Sequence, residues 1–273
     1  MTAQAWELAH GAASAAGVEL RPLDSLDDAD RIVHVLVQTW GGEQVVPREM
    51  IRALGESGNV PYGAFSGEEL IGYVLGWFGA GPGREIHVHS HMLATVPDRR
   101  HRGVGYALKL AQRAQALDLG IGVVRWTFDP LVARNAHLNL HKLGTTIVRF
   151  ERDFYGEMRD ALNRGDRSDR FFVRWDLERT PGLRSVETAG AAAILRRDEA
   201  GRPVRERADR PVLLLEIPGD HAALRAADPE LARRWRDQVA DAAEECLGRG
   251  LLGLSFLRDR GAYVFGADPE AAA

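Results

Sequence analysis

The stretch that most constrains this chain is Thr95–Leu108, TVPDRRHRGVGYAL. HVHSHMLATV, ending at Val96, leads in and reads as a strand. GYALKLAQRAQALDLG, beginning at Gly105, leads out and reads as a helix. Val104, Ala107, Leu108, Ala111 and Ala114 share one helical face, and Gly120 closes the run. The turn between carries Arg100, Arg102, Gly103 and Gly105. A glycine has no Cβ, so main-chain N–H groups there can approach a ligand closely. The first amides of a helix lack intrahelical partners, and its dipole puts partial positive charge at that end. Together these make a phosphate cradle. A glycine pair before a helix also occurs as a bare tight turn, and the turn alone leaves both readings open.

Two better-known phosphate loops do not fit. Tyr106 and Ala107 stand where the Walker pattern needs Lys and Ser or Thr. Leu108 occupies the place of the third glycine in the dinucleotide fingerprint.

The surrounding pattern is mixed α/β. VELRPL (18–23) predicts a strand. Ser25 and Asp28 have capping-box spacing ahead of a helix with Ala29, Ile32, Val33, Leu36 and Trp40 on one stripe. Pro47 opens a second short helix. Tyr62–Phe65 and Glu69–Phe78 predict strands joined at Ser66-Gly67, and GAGPGR (79–84) a hairpin tip. Val123–Phe128 predicts a strand and DPLVARNAHLNLHKLG a helix ending at Gly144. Two more strands are expected at 145–153 and 171–177, with a short helix in YGEMRDALNRG between them. The resulting organisation is a domain over 1–177, a Gly-, Pro- and charge-rich linker over 178–210 with a short strand at AAAILRR, and a small strand-helix-hairpin unit over 211–273. About sixty residues make a marginal core, so that last unit is expected to dock on the first domain.

Composition narrows the function classes. A net charge of −4 over 273 residues gives no global basic field for nucleic acid or an acidic membrane. No apolar run is long enough for a transmembrane helix, and MTAQAWELAHGAASAAG lacks the basic start of a signal peptide. The single cysteine, Cys246, excludes an intrachain disulfide, points to a reducing cytoplasm and reads as buried filler.

Strand alternation puts His87, His89 and His91 on one face. Such a row serves as a proton path or as a polar face packed under a loop. Imidazoles two residues apart can share a metal, but no cysteine lies nearby, and no metal is expected. Asp129 ends the strand VVRWTF, where ligands commonly bind in open α/β sheets. It could orient an amine or a histidine, or cap the helix that begins at Pro130.

Arg-x-x-Gly-x-Gly, spanning Arg100, Gly103 and Gly105 after Val96-Pro97, resembles the acyl-CoA pyrophosphate loop of the GNAT superfamily of N-acetyltransferases. The element order over roughly 18–177 is similar as well, with a central mixed sheet flanked by helices. The resemblance implies acyl transfer from acetyl-CoA or succinyl-CoA to the amine of a small molecule. It implies that amides from Arg102 through Gly103, Val104, Gly105, Tyr106 and Ala107 hold the pyrophosphate, with added charge from Arg100 and Arg102. It implies that Leu93, Ala94 and Val96 pair with the pantetheine arm along a splayed strand. An N–H near Leu93 or Ala94 would polarise the thioester carbonyl, worth on the order of 3 kcal/mol. His89, His91 and Asp129 are then the candidates for moving the amine proton.

One departure matters. Lys142-Leu143-Gly144 match the K-x-G-like ending of the superfamily's later helix, yet Leu140 stands where a tyrosine commonly acts as acid. Tyr106 or water would have to substitute. The strings HSHML, WTFDPL, NAHLNLHKLG and YGEM…LNRG…SDRF also resemble a narrower group of bacterial acyltransferase-like proteins associated with N-succinylamino acid racemases. That likeness implies an amino-acid-sized acceptor, with Arg125, Arg149 or Arg170 meeting a carboxylate or else forming surface ion pairs. Against the enzyme stands a catalytically impaired acyl-CoA-binding module, and more remotely an unrelated nucleotide site. A homodimer is left open.

Overall fold

The computed structural model describes residues 2–42, 46–97, 103–158, 160, 163–183 and 186–268. Contacts between residues divide the chain into two compact units. The first holds Met1–Trp126, Arg159–Arg164 and Asp176–Arg179; the second holds Thr127–Met158, Gly165–Trp175 and Thr180–Ala273.

In the first unit, α1 (Thr2–Ala16) precedes β1 (Glu19–Pro22), α2 (Leu26–Trp40), α3 (Arg48–Glu56), β2 (Tyr62–Ser66) and β3 (Glu69–Ala80). A short 3-10 turn, Pro82–Arg84, leads to β4 (Ile86–Thr95), α4 (Val104–Asp118) and β5 (Val123–Phe128). Strands β1 to β4 are antiparallel neighbours in that order, and β5 joins β4 in parallel. The parallel step needs a crossover, and α4 is that crossover.

Local sequence explains these elements. Ser25 caps α2 by accepting from Asp28 N–H at 3.1 Å, while Asp28 Oδ2 accepts from Ser25 N–H at 3.2 Å. One sheet face buries Tyr73, Leu75 and Ala94 with Ile32, Val35 and Ile51 of α2 and α3. The other buries Ala64, Ile71 and Val74 with Val104 and Leu108 of α4. Helix α1 has no counterpart among the sequence expectations. Its buried stripe is Ala5, Ala9 and Ala13, four residues apart and therefore on one face, and it lies against α4. Small side chains give weak amphipathic contrast, so the period is faint in the sequence although the packing is close.

The second unit continues from the end of β5 through α5 (Ala133–Ala136), a π-helical turn (His137–Lys142), β6 (Thr146–Glu151), β7 (Arg170–Asp176), β8 (Ala192–Arg197), β9 (Pro203–Arg205) and β10 (Val212–Glu216). Then come α6 (His221–Ala227), α7 (Pro229–Gly248) and the hairpin β11 (Leu252–Leu257) and β12 (Ala262–Gly266). Its strands lie in the order β7-β6-β11-β12-β10-β8-β9.

Several expectations change. The helix expected from Asp129 to Gly144 is one α turn followed by the π turn. The described part of YGEMRDALNRG forms bends and turns rather than a helix. Between 178 and 210 the structure has β8 and also β9. Contacts divide the chain inside β5. In the second unit β6 joins β11 at Ile147–Gly253, and β8 joins β10. Long-range hydrogen bonds of that kind leave no trace in local composition.

Candidate active site

β4 is the strand on which the site is built. Its register against β3 passes from Ser90–Gly76 to Met92–Leu75, so His91 is an extra, bulged residue. A bulge adds local twist and re-aims the strand. Gly76 makes room for it, because a Cβ there would stand 2.5 Å from the His89 carbonyl oxygen. The bulge also shifts the parity of the rest of the strand. Ala94 packs toward α2 and α3, whereas Leu93 packs toward α4.

On its other edge, β4 pairs with β5 only at Val88–Val124 and His89–Arg125. From Ser90 onward no register pairs with β5 occur among the described residues. Val96 N–H donates to Ile71 O at 2.9 Å, toward β3. Backbone groups alternate along a strand, so those of Leu93 and Thr95 point to the open edge. Of the three residues expected to meet a pantetheine arm, Leu93 therefore presents its main chain there. Ala94 and Val96 face β3.

Beyond Pro97 the described residues resume at Gly103, just before α4. Arg100 and Arg102 lie outside the described residues. Gly103 sits at φ 89°, ψ −6°, a left-handed conformation that favours glycine, and supplies no side-chain cap. The first intrahelical bond runs from Ala107 N–H to Gly103 O at 3.0 Å. The amides of Val104, Gly105 and Tyr106 therefore precede the helix's own ladder, and the Ala107 amide is already used. Gly105 carries no positive φ; a Cβ there would touch Leu93 at 3.5 Å. The Tyr106 side chain lines a groove of about 460 Å³ with Gln4, Glu7, Leu8, Gly11, Ala12 and Leu110, away from the β4 histidines.

His89 and His91 both lie against Trp77, with ring centres at 5.1 and 4.7 Å, and their own centres are 6.0 Å apart. Desolvation, then the neighbouring charges of His91, His87 and Lys109, pushes His89 down to about 4. His91, open to solvent on one side, is also lowered by the burial of the rest of its ring. Both are thus neutral bases near pH 7. His87 is buried, with its ring about 3 Å from where a Cβ on Gly79 would lie. Near the bulge, Tyr73 Oη donates to Met92 Sδ at 3.7 Å, and burial raises its phenol well above the usual value.

Asp129 belongs to the second unit and has a different setting. Its carboxylate accepts from Arg236 Nη1 at 2.7 Å and Nη2 at 3.0 Å, and from Leu131 N–H at 2.8 Å. Arg236 also donates to Asp166, beside which stand His221 and Arg225. Sequence proximity gave no sign of Arg236, which is 107 positions away. The three arginines considered for an acceptor carboxylate are engaged. Arg125 pairs with Glu85, Arg149 pairs with Glu151 at 2.9 Å, and Arg170 lies 4.0 Å from Asp129 and faces the Tyr155 ring. Leu140 is fully buried in the π turn. Cys246 is fully buried too, and desolvation pushes its thiol up to about 12. Among the described residues, no group of three or more His, Cys, Asp or Glu could hold a metal ion. No helix among them is long and apolar enough to cross a membrane.

Among the described residues, the open edge of β4 and the uncapped start of α4, whose first amides suit an anion, make up the candidate site. Residues 30–145 match the model of the Acetyltransferase (GNAT) family. No curated protein matches the chain. Among solved structures, the ribosomal-protein-S18-alanine N-acetyltransferase from Escherichia coli is similar at 11% identity and TM-score 0.45, covering 62% of this chain and 97% of its own. NAA60 from Arabidopsis thaliana, in complex with acetyl-CoA, is similar at 16% identity and TM-score 0.47, covering 58% and 99%. An N-acetyltransferase from Staphylococcus aureus Mu50 is similar at 14% identity and TM-score 0.45, covering 59% and 98%.

Proposed function

We propose that the protein transfers an acyl group from a CoA thioester to the amine of a small molecule, with an amino acid as the acceptor class. One observation carries this reading. Among the described residues, β4 keeps an open edge beyond His89, and α4 begins uncapped at the left-handed Gly103. The amides of Val104, Gly105 and Tyr106 would take the pyrophosphate, and the Leu93 main chain would pair with the pantetheine arm. His89 and His91, held neutral, would take the proton an attacking amine must lose. Arg100 and Arg102 are assigned to the phosphates on charge alone. Asp129 is assigned a lesser role, since Arg236 and Leu131 occupy both of its oxygens.

The donor is acetyl-CoA or succinyl-CoA, and the narrower sequence resemblance favours an amino-acid acceptor. Thiol release from each donor against a panel of amino acids tests the reading. Release that depends on the amine is the expected result. Tight CoA binding with no release for any amine would instead establish a binding module. Buried Leu140, in the place of a common acid, is the feature that favours the module.

A further inference from the structure

The β4–β5 ladder ends at His89–Arg125, and the first residues past that end are Ser90 and Trp126. The side chain that reaches both comes from α4. Lys109 Nζ donates to Ser90 Oγ at 2.7 Å and to Gln112 Oε1 at 3.4 Å, and stands 3.6 Å from the centre of the Trp126 ring. Lys109 is 2% exposed, and neither of these hydrogen-bond partners is acidic. Burying an ammonium without a carboxylate is costly, and a leucine or methionine would fill the space without that cost. The Trp126 face offsets part of the penalty. An amine kept in such a place calls for a chemical reason.

Acyl transfer moves two protons. The attacking amine must lose one, and the departing thiolate must gain one. The depressed histidines suit the first task and not the second, because a neutral imidazole of low basicity holds no spare proton near pH 7. We propose that Lys109, acting through the Ser90 hydroxyl, supplies the proton to the leaving sulfur. This rests on the acyl-transfer reading above.

In that step the acceptor nitrogen attacks the thioester carbon and a C–N bond forms. The C–S bond breaks and its electron pair stays on sulfur. Ser90 Oγ gives its proton to sulfur and takes one from the Lys109 ammonium. The proton lost by the amine goes to a histidine or to water, and Lys109 is reprotonated from solvent after product leaves. Burial lowers the Lys109 amine well below the ordinary lysine range, so its ammonium gives up a proton more readily. Titratable groups on the elements around it include His87, His89 and His91 on β4, Glu69 and Tyr73 on β3, Arg125 on β5, and Tyr106, Arg113 and Asp118 on α4.

The test uses the full chain, acetyl-CoA and the amine panel. Lys109→Met is expected to lower kcat on the order of 100-fold. It should also erase the basic limb of the kcat pH profile, while acetyl-CoA protects the variant from heat as it does the parent. Ser90→Ala should lower kcat in the same direction and shift the same limb. An unchanged kcat and an unchanged basic limb in Lys109→Met would overturn the assignment. Should Lys109→Met fail to melt cooperatively, Ser90→Ala decides, and parental kinetics there overturn the relay. If the parent protein neither binds acetyl-CoA nor releases thiol, the acyl-transfer reading falls and takes this one with it. Turnover that is indifferent to both substitutions removes only the role of Lys109.

Discussion

At the scale of single residues, backbone conformation and desolvation do most of the selecting. Gly103 is the clearest case. Its φ of 89° lies where a Cβ is penalised, although the nearest atom to such a Cβ, on Ala16, is 3.7 Å away. The penalty is thus conformational, not a clash. Gly103→Ala should cost about 1–2 kcal/mol in denaturant unfolding. It should also weaken acetyl-CoA binding measured by calorimetry, because the helix start would be re-aimed. His89 gives a pH prediction. Its folded value of about 4 lies below the ordinary 6.5, so the unfolded chain binds the proton more readily. The associated stability is complete above the unfolded value and is lost as pH falls from there toward the folded one. His89→Gln should flatten that acid slope, seen as a smaller change in urea midpoint between about pH 7 and about pH 5. A slope identical to the parent's would mean that His89 is not desolvated. The histidine row was legible in the sequence because alternation is a local rule. Lys109 was not: the helical stripe read Val104, Ala107, Leu108, Ala111 and Ala114, and no local rule marks a lysine beside it as buried.

At the scale of elements, the deciding interactions join parts of the chain far apart in sequence. Arg236 on α7 holds Asp129 and Asp166 in the second unit, and all three are largely buried. Burial alone would lower the guanidinium and raise the Asp166 carboxyl, but their mutual contacts outweigh it in both. Removing one partner leaves buried charge without compensation. Arg236→Ala should therefore cost about 3–5 kcal/mol in equilibrium unfolding. Replacing Arg236, Asp129 and Asp166 together by apolar residues of similar volume should restore much of it, as a denaturation series would show. On the first unit, α1 meets α4 through alanines. Ala9→Leu overfills that contact and should destabilise by about 1–3 kcal/mol, read as a lower melting temperature. The capping box at Ser25 and the hairpin strands were visible beforehand, since caps and turns are written in adjacent residues. The π turn at His137–Lys142 was not, because its apolar spacing reads as an ordinary helix.

At the scale of the whole molecule, ligand linkage supplies a direct check. A molecule that binds only the folded chain raises its stability, by about 2.7 kcal/mol at a hundred times the dissociation constant. Acetyl-CoA should raise the melting temperature, and ATP at the same concentration should not. Protection by ATP alone would point to a nucleotide site in place of an acyl-CoA one.

The sequence by itself determined the strand before and the helix after Gly103, the mixed α/β class and the histidine row, because each depends on periodicity within about a dozen residues. Tertiary structure alone decided where β4 parts from β5, which carboxylates Arg236 holds, and that Lys109 sits in the opening. Those outcomes arise from hydrogen-bond register and burial between segments tens of residues apart, and no local pattern encodes which of two distant polar groups water will be kept from.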